Sequence, residues 1–216
     1  MHPWTGLMVT FSTMPPKELL TPSKAKRAGI GTFFRPKDLE PLGISEPILR
    51  TLIRRGTVEK VARGLYRLTA AEISEHYTIA ATCARVPQGI VCLLTALQIH
   101  GIGTRLSPEV WLAIPHGSRS PRLTIARVRT VKFSGSMLTT GVERTRIDGV
   151  PTKITNPART IVDCVRLSRI IDRETAIEAM REGLHDRHVT TNALLRMAKA
   201  CGVFDLMRRD IELLSS

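Results

Sequence analysis

The chain has 216 residues, 43% of them hydrophobic and 24% charged, enough for one large domain or two small ones with a buried core. Its 32 Lys and Arg against 19 Asp and Glu leave a net charge of +13, which favours a polyanionic partner. No apolar run approaches the ~18–20 residues of a membrane span, so no membrane partner is expected. The four cysteines, Cys83, Cys92, Cys164 and Cys201, are too dispersed for a CxxC metal or redox motif. Each lies in an apolar helical context that suits a small core residue.

Residues 1–22 read as a flexible tail. The start has no basic n-region and is interrupted by Pro3, Pro15 and Pro16, so it does not read as a signal peptide, and a cytoplasmic protein is expected. Met8 or Met14 is an alternative start. Ser23 to Ala28 predicts a short helix closed by Gly29 and Gly31, with Lys24, Lys26 and Arg27 set against phosphate or solvent.

Residues 23–69 spell a winged helix-turn-helix. Pro36 suits the first turn of a helix that runs to Leu42, where Gly43 supplies the left-handed residue that ends it. Ser45 is the N-cap of the next helix, and Ile44 and Leu49 have the N′ and N4 spacing of a hydrophobic staple. Ile48, Leu49, Leu52 and Ile53 recur at helical spacing and predict its buried stripe. The opposite face carries Glu46, Pro47, Arg50, Thr51 and Arg54, with Arg55 beside them.

Such a helix fits the major groove with its first turns against base edges. Arg50 has the donors for a guanine; Thr51 and Glu46 suit thymine methyl and cytosine amino groups. Arg54 and Arg55, further along, suit phosphates. Gly56 stops the helix. Thr57 to Val61 and Leu65 to Leu68 then alternate as short strands around Ala62-Arg63-Gly64, which predicts a wing. Lys60, Arg63 and Arg67 place cations along it. The candidate DNA-contacting set is thus Ser45, Glu46, Arg50, Thr51, Arg54, Arg55, Lys60, Arg63 and Arg67. A helix pair with ordinary solvated charges is the bland alternative.

From residue 70 a second domain is expected. Thr69-Ala70-Ala71-Glu72 has the form of a capping box and predicts a helix to about Arg85. Val91 to His100 is apolar nearly all round, hence a buried helix stopped by Gly101. His100 at its end reads as structural. Glu109 to Ile114 and Leu123 to Phe133 read as strands. Val142 to Ile147 and Val150 to Ile154 flank Asp148-Gly149, a strong hairpin signal. Asn156-Pro157 opens a helix carrying Arg159 and Asp163 at i, i+4, a structural salt link. Helices over Arg173–Glu182, Thr191–Ala200 and Val203–Leu214 complete an α+β arrangement of a small mixed or antiparallel sheet with packed helices.

The charge excess is not confined to the reader. Residues 1–75 hold 12 basic and 7 acidic side chains, and residues 76–216 hold 20 and 12. Residues 105–153 are densest, with nine basic and three acidic, although Trp111 and Phe133 are their only base-stacking aromatics. Enzyme signatures are missing. There is no GxxxxGK[ST] loop, no GxGxxG after a strand and no Glu-x-Lys nuclease pair, and His185-Asp186-Arg187-His188 matches no standard zinc spacing. No catalytic residue, metal or cofactor is therefore assigned.

Several short motifs recur in one order: Asp38-Leu39 with Gly43-Ile44-Ser45, then Leu52-Ile53-x-x-Gly56, then Arg63-Gly64-Leu65-Tyr66. Thr95-Ala96-Leu97-x-x-His100-Gly101 follows, then Gly149-Val150 with Pro157-x-Arg159-Thr160-x-x-Asp163. In these the chain resembles the AbiEi family of antitoxins from type IV toxin–antitoxin systems, over about residues 23–214. The resemblance implies that the N-terminal winged helix binds double-stranded DNA, at inverted repeats in its own promoter, and represses the operon. It also implies that residues 70–216 form an antitoxin domain neutralising a cognate nucleotidyltransferase-like toxin, with or without direct contact. A monomer in solution or a dimer on DNA fits this reading. The alternative is a plain winged-helix regulator whose C-terminal domain binds a ligand or dimerises. A third reading is an enzyme or an RNA-binding protein built on the basic sheet.

Overall fold

The computed structural model describes residues 20–105 and 107–214. The chain divides into two compact units between Glu72 and Ile73.

In the first unit, α1 (Pro22–Arg27) starts at Thr21, whose hydroxyl accepts the Lys24 amide at 3.2 Å. Leu20 is buried with Ala25, Phe34, Leu39 and Leu52. The expected tail therefore gives way to structure by Leu20, because burying that side chain and capping α1 anchor the chain there; residues 1–19 lie outside the described residues.

After β1 (Phe33–Phe34), Pro36–Leu42 forms a 3-10 helix. Pro41 lies inside it and donates no backbone bond to it. Gly43 adopts φ 68°, and the Ile44 amide donates back to the Leu39 carbonyl at 3.3 Å, so the turn falls at the expected glycine. Helix α2 (Glu46–Arg54) follows with Ser45 at the N-cap position, though the Ser45 hydroxyl makes no capping bond. Ile44 and Leu49 share the same buried cluster, as the staple spacing predicts. Strands β2 (Val58–Ala62) and β3 (Leu65–Leu68) form the hairpin, with β3 central in the order β1-β3-β2. Helix-turn-helix plus hairpin is the winged arrangement expected.

The predicted helix from Thr69 does not form. The Thr69 amide donates to the Thr57 carbonyl at 3.0 Å, which prolongs the hairpin pairing and leaves the capping-box residues outside any helix. Helix α3 begins only at Tyr77 and ends at Arg85.

In the second unit, β4 (Ile90–Val91) pairs antiparallel with β5 (Val110–Pro115) and parallel with β8 (Val150–Thr155). Strand β6 (Val128–Phe133) lies parallel to β5, and β7 (Val142–Ile147) antiparallel to β8. The five-stranded mixed sheet has the order β6-β5-β4-β8-β7. Its β7–β8 turn is the predicted one, with Asp148 at φ 49° and Gly149 at φ 77°. The helix predicted over Val91 to His100 starts later: Val91 joins Ile90 in β4, and α4 is Leu93–His100, ended by Gly101. The His100 Nε2 lies 2.7 Å from the Thr155 carbonyl, so Nε2 carries the proton and the ring ties α4 to β8.

Helices α5 (Pro157–Arg166), α6 (Arg173–His185), α7 (Thr191–Ala200) and α8 (Phe204–Leu214) bury one core with Ile90, Trp111, Ala113, Val131 and Phe133 of the sheet. Helix α3 packs against β8 and β5 and adds nothing to that core.

Within the second unit, Arg159 and Asp163 of α5 are fully buried. The Arg159 Nε donates to Asp163 Oδ2 at 2.9 Å, and its two terminal nitrogens donate to the Thr140 and Met137 carbonyls. Arg166 donates to the other oxygen of Asp163 at 3.0 Å. Both guanidiniums lie over the Phe133 ring, at 4.9 and 5.5 Å. Burial pushes the Asp163 carboxyl above the ordinary carboxylate range, against the pull of the two guanidiniums. Removing one partner strands the other charge, so Asp163→Ala is predicted to lower unfolding stability by about 3–5 kcal/mol. Urea denaturation checks this; an unchanged midpoint would show that the pair does not hold the unit.

The thiols give a second expectation. Cys83, Cys92 and Cys164 are buried and Cys201 is half-buried. Burial pushes the Cys83 thiol up to about 11, so at pH 8 only about one part in a thousand is thiolate. Native protein titrated with Ellman's reagent at pH 8 should react first and fastest at Cys201. The other three should react only after unfolding, which removes the burial that holds their thiols protonated.

Candidate nucleic-acid interface

The candidate contact residues lie on α2 and on the β2–β3 hairpin of the first unit. Leu49 and Leu52 anchor one side of α2 in the core, with Ile48 and Ile53 partly buried around them. That seating leaves Ser45, Glu46, Arg50, Arg54 and Arg55 exposed and Thr51 half-exposed, as the helical spacing predicts.

Glu46, Arg50, Thr51 and Arg54 are already paired along the helix. Arg50 Nη2 donates to Glu46 Oε1 at 2.8 Å, an exposed i, i+4 pair that raises the Arg50 pKa above its ordinary value. The Thr51 hydroxyl donates to the Pro47 carbonyl at 3.1 Å and accepts from Arg54 Nη2 at 3.3 Å. What Thr51 can offer a base is therefore its methyl rather than its hydroxyl. An exposed ion pair contributes at most about 1 kcal/mol, so the Glu46 contact orients Arg50 without locking it.

The hairpin turns at Arg63-Gly64, where Gly64 takes φ 69° and leaves Arg63 exposed at the tip. Lys60 is exposed on β2. Arg67 is not on the outer face, and its assignment as a DNA contact is corrected. Its relative exposure is 7%, its Nε donates to the Glu59 carboxylate, and its Nη1 donates to the Ala71 carbonyl at 3.2 Å.

The cause is a register shift. The turn pairs Ala62 with Leu65, and continuing that register would set Lys60 opposite Arg67, two like charges. An irregularity between Lys60 and Ala62 instead pairs Lys60 with Tyr66 and Glu59 with Arg67. The sequence signal for Glu59 as Arg67's partner was thus hidden by one extra residue in β2.

The basic stretch 105–153 does not form one uncommitted surface. Arg105 binds Asp172 and Thr175, Arg129 lies over the Trp111 ring at 4.5 Å, Lys132 donates to the Ser118 carbonyl, and Arg146 donates to the Gly149 carbonyl. His185, from the metal-like cluster, bonds its neighbour Asp186 at 2.7 Å. Among the described residues no group of three or more His, Cys, Asp or Glu side chains is placed to hold a metal, and no helix is long and apolar enough to cross a membrane.

Residues 25–69 match the family model described as "Transcriptional regulator, AbiEi antitoxin". That match bears out the resemblance read from the motifs across the helix-turn-helix and wing. In fold, the chain is similar to the crystal structure of the RV2827C protein from Mycobacterium tuberculosis, with a TM-score of 0.54 at 15% identity. The alignment covers 91% of this chain and 82% of that one. No curated protein matches the chain.

Arg67 and Arg63 should separate by measurement. Arg67→Ala removes a charge-assisted bond inside the unit and is predicted to lower stability by about 1.5–3 kcal/mol. Arg63→Ala should leave the melting temperature near that of the parent, since its side chain lies at an exposed turn. Equal losses in thermal denaturation would return Arg67 to the surface set.

Proposed function

We propose that this chain is a DNA-binding antitoxin: an autorepressor that binds inverted repeats in its own promoter through the winged helix and neutralises a cognate nucleotidyltransferase-like toxin. The observation that carries the DNA-binding part is the outer face of α2. Glu46, Arg50, Thr51 and Arg54 stand on it with polar groups outward, while the Leu49–Leu52 side is fixed in the core. The hairpin adds Lys60 and Arg63, giving a base-reading face and a phosphate-reading edge on one small unit. The regulator and antitoxin description of the matching family model supports the same reading.

In this mechanism the helix enters the major groove and Arg50 exchanges its exposed Glu46 contact for guanine acceptors. Arg54, Arg55, Lys60 and Arg63 neutralise phosphates and release counterions. The antitoxin role belongs to the second unit and rests on the sequence resemblance. The protein acts in the cytoplasm, catalyses no reaction, and works as a monomer in solution or a dimer on DNA. A plain regulator is the second reading, favoured by the family match ending at residue 69.

Fluorescence anisotropy with the chain's own promoter repeat tests the first half. Arg50→Ala should lose about ten- to hundred-fold of the discrimination between that repeat and scrambled DNA. Arg63→Ala should weaken both alike and flatten the salt dependence by about one counterion. If both variants weaken random DNA equally and spare discrimination, the roles are wrong. Co-expression with the neighbouring toxin gene tests the second half: the full-length Arg50→Ala/Arg63→Ala chain should still protect cells, and failure of the parent chain to protect would leave the plain regulator.

A further inference from the structure

The second unit contains a cavity of about 160 Å³ between α5, α6 and α8. Its wall is mostly apolar, formed by Val165, Ile171, Ala176, Ile177 and Leu206 with Cys164 and the polar Ser168, and it opens to solvent beside Leu206, which is 54% exposed. The neighbouring core is closed, with Ile161, Val162, Met180, Met207 and Ile211 at zero exposure. A volume of about 150 Å³ is enough to take up a benzene-sized molecule. Size and lining therefore select one aromatic ring or a short branched hydrocarbon.

The rim has a different chemistry. Arg173, the first residue of α6, and Asp210 of α8 also line the cavity. A single nitrogen, Arg173 Nη2, serves both Asp210 oxygens, at 3.2 and 3.1 Å. That contact does not use the two-nitrogen fork with which arginine holds a carboxylate most strongly. The Arg173 side chain is also 68% exposed, against 19% for Asp210, so the guanidinium can be approached from solvent.

We propose that this cavity is a binding site for a small aromatic or branched aliphatic carboxylate. Its apolar part lies among α5, α6 and α8, and its carboxylate engages the fork of Arg173 in competition with Asp210. The site is independent of the DNA-binding face and of whether the second unit neutralises a toxin.

Benzoate and toluene titrated into the full-length protein by calorimetry test the proposal. Benzoate should bind saturably at one site per chain and raise the melting temperature. Arg173→Gln should weaken benzoate by about tenfold or more while sparing toluene. Asp210→Asn, which removes the competing carboxylate, should tighten benzoate. Ala176→Leu, or Ile177→Phe if the first variant fails to fold, should fill the cavity and abolish both. No saturable benzoate binding overturns the proposal. So does benzoate binding that survives the filled cavity, or that ignores both rim substitutions.

Discussion

The second unit depends on a charge pair that it cannot expose. Arg159 and Asp163 stand one turn apart on α5 with no contact to water, so each is tolerable only because the other is there. Arg159 also supplies the donors that satisfy the Thr140 and Met137 carbonyls, which precede β7, while Phe133 at the end of β6 receives both guanidinium faces. One helix thereby fixes the path of the chain between two strands that lie on opposite edges of the sheet. Gly141 shows how tight the fit is. It takes φ 62°, and a Cβ there would meet the Arg159 side chain at 2.7 Å.

The first unit solves a similar problem with a bulge. A two-residue turn sets the hairpin register, and an extra residue in β2 then moves Glu59 opposite Arg67. The buried Arg67 also ties the hairpin to the Ala71 carbonyl beyond it. The cost is one cation fewer on the wing. Lys60 and Arg63 remain exposed, so the face available to a polyanion is narrower than a count of basic residues suggests. The same holds in the second unit, where Arg105, Arg129, Lys132 and Arg146 each engage neighbouring groups. A net charge of +13 describes the attraction to polyanions, not the shape of the surface that meets them.

Much of the candidate site was legible beforehand, for a local reason. The face of α2 follows from apolar spacing, and Gly43, Gly56 and Gly64 mark its limits and the hairpin turn because each takes positive φ. The Asp148-Gly149 hairpin and the Asn156-Pro157 helix start were read correctly on the same footing, since turn and cap chemistry act within four residues. The misreadings share the opposite property. Thr69 had capping chemistry, yet its amide was taken by Thr57, twelve residues away. Val91 fitted a helical run, but partners on β5 and β8 drew it into the sheet.

The sequence by itself determined the two-part order, the polar face of α2, the turns and caps, and the i, i+4 placement of Arg159 and Asp163. Each of these is encoded by residues within one or two turns of one another. Only the tertiary structure decided that Arg67 is buried, that Leu20 belongs to the core, that β4 is a strand, and that an arginine–aspartate rim borders an apolar cavity. These depend on strand register and helix packing, which bring together residues up to about 65 positions apart. A single bulge or a single competing hydrogen bond reverses the outcome, because local propensities differ by less than one burial or one ion pair stabilises.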